Sequence, residues 1–263
     1  MKLFVRTAVP LIALAALTLA PVAAYADAIT MSATYYTIGE YDQDMNYLAG
    51  GAYDNEVQAT LGADGLPILN TTTYGCSTNC FLATPYPSDL TASGEITWWS
   101  PSLNNGGIGG SSDVVQTGTG TVTLPYDNES FYQPNGTGSD DYSGFQAAVF
   151  STILSVPSAE SISFNVGADD VAFVYLDGSI VCDLGGVHGD SAGSCTSSTL
   201  TAGNHSLELF YADLANTGAA LTFDVTTEGI GGTPPPSTPE PASLVLMGSA
   251  LAGLGVILRR RRS

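Results

Sequence analysis

The 263 residues carry 25 Asp and Glu against 6 Lys and Arg, a formal charge of −19 at pH 7, and the six basic residues sit only at the ends: Lys2, Arg6 and Arg259 to Arg262. A body without Lys or Arg repels nucleic acid and anionic lipid and attracts cations. It also excludes Schiff-base chemistry, arginine clamps and phosphoryl transfer that needs a basic residue.

Residues 1–26 have the three parts of a secretory signal: a basic start at Lys2 and Arg6, an apolar stretch from Ala8 to Val22, and Ala24-Tyr25-Ala26 as cleavage site. The mature chain is expected to begin at Asp27. From there to about residue 228 the sequence reads as one β domain. ITMSATYYTI, GEITWW, TGTVTLPY, ESISFNVG, VAFVYLDG, SIVCDL, HSLELFYA and ALTFDVTT are strand-like, most alternating apolar and polar, with Gly, Asn, Asp, Ser and Thr clusters between them. FQAAVFSTIL, Phe145 to Leu154, suits strand or helix. An antiparallel β-sandwich accommodates this pattern.

The cysteines form two close pairs, Cys76 with Cys80 and Cys182 with Cys195. In an exported chain, pairs at short separation predict local disulfides that each close a loop. Two histidines in the whole chain make a zinc site a poor match.

One stretch concentrates the chemistry: GADDVAFVYLDGSIVCDLGGVHG, Gly167 to Gly189. Asp177-Gly178 fits a two-residue hairpin turn between two strands. Asp169 and Asp170 head the first of those strands. Neighbouring side chains in a strand point to opposite faces, so these carboxylates meet one ion only where the backbone bends or the peptide is cis. Hard carboxylate oxygens suit calcium; alternatively, the first Asp caps amides of its own turn and the second faces water. His188, between Gly186 and Gly189, is expected as a hydrogen-bonded strut of its loop, or as part of a site. His205 is expected to be exposed.

Catalysis is not expected. Glycosidic carboxylate pairs face each other across a cleft from different elements, whereas adjacent ones suit chelation. H-E-x-x-H and P-loop patterns are missing. The aromatics Trp98, Trp99, Tyr126, Phe131 and Tyr132 are expected either in the core or as a sugar-stacking platform.

Residues 229–241 form a Gly/Pro-rich linker ending in Pro239-Glu240-Pro241. Ala242 to Leu258 is apolar and rich in Gly and Ala, close to the lower limit of about 17 residues for a transmembrane helix. Arg259, Arg260, Arg261 and Arg262 keep the 259–263 tail cytoplasmic. This order resembles the PEP-CTERM sorting signal of Gram-negative bacteria. The resemblance implies cutting near Pro239-Glu240-Pro241 by an exosortase-type membrane protease, passage through the inner membrane, and delivery to the cell surface or extracellular matrix.

FNVGADDVAFVYLDGSIVCDLGGVHG, followed by LTAGNHSLELFYADLANTGAALTFDV, resembles the fibro-slime domain, and LGADGLPIL, ITWWSP and FYQPNG follow that family's order upstream. Fibro-slime domains are in turn similar to the protective-antigen-type β-sandwich, a jelly-roll-like fold. In its flocculin-like members a double-Asp loop with a cis peptide holds calcium, and the calcium holds sugar hydroxyls. The resemblance implies Asp169 and Asp170 as calcium ligands and extracellular polysaccharide as partner. Ser179, Leu214-Ala215 and Ala172 depart from the family pattern, which usually has Lys, an acidic-basic pair and Trp there. Two functions follow as expectations: calcium-dependent carbohydrate binding in adhesion, or a structural biofilm-matrix protein in which calcium only stabilises the fold.

Overall fold

The computed structural model describes residues 28–39, 42, 52–53, 55–70, 89–131, 144–215 and 218–235. The signal segment, Cys76, Cys80, Tyr132, the Pro239-Glu240-Pro241 run, the 242–258 segment and the arginines lie outside them. Among the described residues, no helix is long and apolar enough to cross a membrane.

The described chain is all β. Its strands are β1 (Thr30–Ile38), β2 (Ala52–Tyr53), β3 (Val115–Thr123), β4 (Tyr126–Asn128), β5 (Phe145–Val156), β6 (Ser163–Asp169), β7 (Val171–Leu176), β8 (Ser179–Gly186), β9 (Ser191–Thr196), β10 (Gly203–Ala212), β11 (Ala220–Val225) and β12 (Gly231–Thr233). They form two antiparallel sheets. The larger runs β2-β8-β7-β10-β5-β1-β3 with β12 added beside β5, and the smaller runs β4-β11-β6-β9.

Between the sheets lies one core. Met31, Ala33 and Tyr35 of β1, Phe150 and Leu154 of β5, Ala172, Val174 and Leu176 of β7 and Leu207, Leu209 and Tyr211 of β10 face Phe164, Val166, Leu221 and Phe223. Ala172, where the family pattern favours Trp, is wholly enclosed here. The opposite face of the large sheet is also covered. Val57, Leu66, Leu69, Ile96, Trp98 and Trp99 pack on Phe145, Val171, Phe173, Tyr175 and Phe210. This second layer explains why every residue of VAFVYL is buried although the strand alternates its faces.

GEITWW belongs to that covering layer and is not a strand. Only isolated bridges join Ile68 to Glu95 and Leu90 to Ile96, because Trp98 and Trp99 turn down onto the sheet, where the Trp99 indole N–H donates to the Tyr211 carbonyl at 2.7 Å. FQAAVFSTIL is a strand, the first ten residues of β5. The sandwich also reaches into the expected 229–241 linker. Gly231–Thr233 pairs with Ile153–Ser155, where a Cβ on Gly232 would come within 2.8 Å of Ile29.

Asp177 (φ 50°) and Gly178 (φ 71°) form the β7–β8 hairpin turn. His205 is not exposed as expected. It keeps 9% of its surface, because its Nδ1 lies 2.6 Å from Asp177 Oδ2 and its Nε2 2.9 Å from the Thr201 carbonyl, pinning the turn to β10. Cys182 on β8 and Cys195 on β9 form a disulfide with a Cα separation of 5.6 Å, joining strands of different sheets.

Candidate cation site

Two crossings between the sheets meet at one end of the sandwich. β6 ends at Asp169 in the small sheet and β7 begins at Val171 in the large one. β10 ends at Ala212 in the large sheet, and after Asp213 to Gly218 the chain joins the small sheet as β11. Register places these crossings together: Ala220 is opposite Asp169, and Ala212 is opposite Val171.

The Asp169–Asp170 peptide is cis, so the usual strand alternation does not separate the two side chains. Asp169, Asp170 and Asp213 each present a carboxylate oxygen, and these atoms lie within 4.8 Å of one another. Asp170 and Asp213 are fully buried, whereas Asp169 is only half-buried and reaches solvent. The cluster therefore has a sealed floor and an open side.

Backbone donors fix the floor. The amides of His188 and Leu214 each donate to Asp170, to Oδ1 and Oδ2 respectively, both at 2.7 Å. The Ala215 amide donates to Asp213 Oδ1 at 3.2 Å. Asp169 is steadied through its main chain, its carbonyl accepting the Tyr211 hydroxyl at 2.7 Å. At Gly218 (φ +83°) a Cβ would sit 2.6 Å from Asp169 Oδ2. The residue there must be glycine for the carboxylate to keep its place.

Negative charge accumulates in this arrangement. Burial, then the neighbouring Asp170 carboxylate, pushes Asp169 up to about 7. Burial pushes Asp170 up to about 6 against the amides of Leu214 and His188, which pull it down. Unit charges 4 Å apart near a protein surface interact by about 4 kcal/mol, and no Lys or Arg lies between Arg6 and Arg259 to relieve the repulsion. What remains is a proton or a cation.

The sequence-predicted residues divide cleanly. Asp169 and Asp170 are brought together, and Asp213 joins them unannounced. A usable signal existed, since Asp213 follows directly on HSLELFYA as Asp170 directly precedes VAFVYL, and these two strands are neighbours. His188 contributes its backbone amide to Asp170, while its ring Nδ1 lies 2.9 Å from the Gly189 carbonyl. Trp98, Trp99 and Phe131 are core residues with at most 3% exposure, which removes them from any stacking platform.

A second acidic group occupies the same end, after Ile38, whose partner Phe145 begins β5. Here Asn104 donates to Asp89 Oδ1 at 2.7 Å and accepts the amides of Gly106 and Asp113. Asp42 and Asp113 lie beside them, with Asp113 pushed up by burial. Among the described residues, only Asp169, Asp170 and Asp213 form a triple of metal-ligating side chains within 4.8 Å.

Residues 237–262 match the model of the PEP-CTERM protein-sorting motif, which spans Pro239-Glu240-Pro241 and the four arginines and implies export with exosortase-type processing. No curated protein matches the chain. Among solved structures, the PA14 domain of MpAFP Antifreeze protein is 13% identical, with 79% of this chain and 93% of that one covered and a TM-score of 0.35. The PA14 sugar-binding domain from RTX adhesin is 24% identical over 34% of this chain and 48% of that one, about half its length, with a TM-score of 0.28. A subtype-switched Epithelial Adhesin 9 to 1 A domain from Candida glabrata, in complex with β-lactose, is 12% identical over 81% and 83%, with a TM-score of 0.32. Similarity at this level says nothing about ligand.

Proposed function

We propose that this chain is an exported, non-catalytic surface or matrix protein whose sandwich holds calcium between Asp169, Asp170 and Asp213 and uses it to bind carbohydrate. The observation that carries the reading is the convergence of three carboxylates from two inter-sheet crossings in a body without basic residues. Calcium takes 6–8 oxygen ligands in flexible geometry, mixing carboxylates, carbonyls and water. Asp170 and Asp213 supply a fixed, desolvated base, and partly exposed Asp169 leaves a side on which vicinal sugar hydroxyls can replace water.

Adjacent carboxylates on one ion are a chelating arrangement, and the fibro-slime resemblance points the same way. After exosortase processing near Pro239-Glu240-Pro241, the body would act on polysaccharide at the cell surface or in the matrix.

The competing reading, a matrix protein in which calcium only stabilises the fold, is favoured by the position of the cluster. An ion there joins β6, β7 and the end of β10, stapling one sheet to the other. Retention of the purified chain on a panel of bacterial and plant polysaccharides, in calcium and in chelator, separates the two. Calcium-dependent retention on at least one glycan, lost in Asp169→Ala, supports binding. Uniform absence of retention from a calcium-stabilised protein supports the structural reading.

A further inference from the structure

Glu56 is fully buried just before the bridge of Val57 to Leu69. Its Oε2 accepts the Gly186 amide at 2.6 Å, while its Oε1 is buried without a hydrogen-bond partner. Burying an acid with half of its acceptor capacity unused is costly. An apolar residue would fill the space at less cost, so its carboxyl calls for a role.

The role is visible in the Asp183-Leu184-Gly185-Gly186-Val187-His188-Gly189 run. A Cβ on Gly185 would collide with the Glu56 carboxyl, and Gly186, at φ +91°, turns its amide onto Oε2. The stitch is reciprocal, because the Val57 amide donates to Asp183 Oδ2 at 3.0 Å. Two residues beyond Gly186, the His188 amide donates to Asp170 Oδ1 at 2.7 Å. The end of β8 is thus tied at one point to Glu56 and at the next to the acidic cluster.

We propose that Glu56 is a positioning residue of the cation site, holding the end of β8 through Gly186 so that the His188 amide orients Asp170. The inference rests on reading Asp169, Asp170 and Asp213 as a cation site. Burial, and then the nearby Asp183 and Asp170 charges, push Glu56 up to about 8 against the Gly186 amide. Near neutral pH the side chain is therefore mostly the uncharged acid, and what the geometry requires is an acceptor of glutamate length. Gln meets that requirement; Asp, one methylene shorter, does not.

The test is terbium binding to the full chain in detergent micelles, read by luminescence sensitised through the protein's aromatics. Hydrogen–deuterium exchange of the 183–190 segment is followed in parallel on the ion-free protein. Glu56→Asp is expected to weaken terbium binding at least tenfold and to speed exchange in 183–190. Glu56→Gln is expected to restore both to within about threefold of wild type.

Three results would overturn the proposal: Glu56→Asp indistinguishable from wild type, Glu56→Gln as impaired as Glu56→Asp, or exchange rising across the whole sandwich instead of in 183–190. Wild-type protein that ignores terbium would instead sink the cation reading, and with it the link to a metal. The exchange data would still decide whether Glu56 holds the donor to Asp170.

Discussion

Asp170 and Asp213 flank the last matched pair of two neighbouring strands, Val171 of β7 and Ala212 of β10, and so leave the large sheet side by side at one rim. Their duties differ. Asp170 accepts two backbone amides, those of His188 and Leu214, so its removal strands buried donors at about 1–3 kcal/mol each. Asp170→Ala is expected to lower the melting temperature of the ion-free protein by roughly 5–15 °C. Differential scanning calorimetry in chelator checks this, and an unchanged midpoint would contradict it.

The pH dependence of ion-free stability has a definite sign. Asp170, Asp169 and Glu56 are raised to about 6, 7 and 8. Each folded value lies above that of an ordinary carboxyl, so the folded protein holds protons that the unfolded chain has released. The stability they contribute is complete below about pH 4 and is lost as pH rises through 6 to 8. His205, raised by its hydrogen bond to Asp177, adds the same sign from about pH 6.5 upward. In chelator the melting temperature should fall by roughly 5 °C or more between pH 5 and pH 8. Calcium should narrow that gap, since it binds the ionised carboxylates that the rising pH creates. A midpoint that is flat or rises in chelator would contradict the assignment.

Trp98 and Trp99 belong to the covering layer and face the sheet, with Trp99 meeting Phe210 at 5.2 Å and Phe173 at 6.3 Å between ring centroids. Trp99→Ala is expected to cost about 3–5 kcal/mol of stability. It should leave calcium affinity unchanged in whatever fraction stays folded. Chemical denaturation beside calorimetric titration tests both halves, and a stable variant with altered binding would return Trp99 to the ligand surface.

The Cys182–Cys195 disulfide spans a sequence separation of 13 and joins β8 to β9 across the sheets. Cross-links of this loop size contribute about 3 kcal/mol. Reduction should lower the melting temperature by roughly 5–10 °C, measured in matched scans with and without reductant. Cys182→Ser with Cys195→Ser should match the reduced protein.

Much of the fold was legible because its strands keep the period of two and its turns use Asp-Gly and Gly. The run from ESISFNVG through SIVCDL became β6, β7 and β8 with the expected hairpin between the last two. GEITWW misled because its tryptophans bury themselves by folding over a sheet face, and burial by that route leaves the same composition as a strand. FQAAVFSTIL, Phe145 to Leu154, was ambiguous because apolar residues occupy both faces of the strand, which blurs the apolar–polar alternation of its sequence. Asp169 and Asp170 stood out as neighbours in sequence. Asp213 did not, since only the register of β7 against β10 brings it alongside them. Glu56 was hidden for a similar reason, as its partner Gly186 is 130 residues away.

Calcium titration by calorimetry of the wild-type chain and Asp213→Asn, with the Cys182–Cys195 disulfide intact, tests the cation site most directly. Saturable one-site binding to wild type, weakened tenfold or more by Asp213→Asn, is the predicted result, since removing one of three converging charges takes at least about 1.4 kcal/mol from the ion. Weak, nonsaturating heats from both proteins, or equal affinities, would contradict it and leave Asp169, Asp170 and Asp213 as a protonated seam between the sheets.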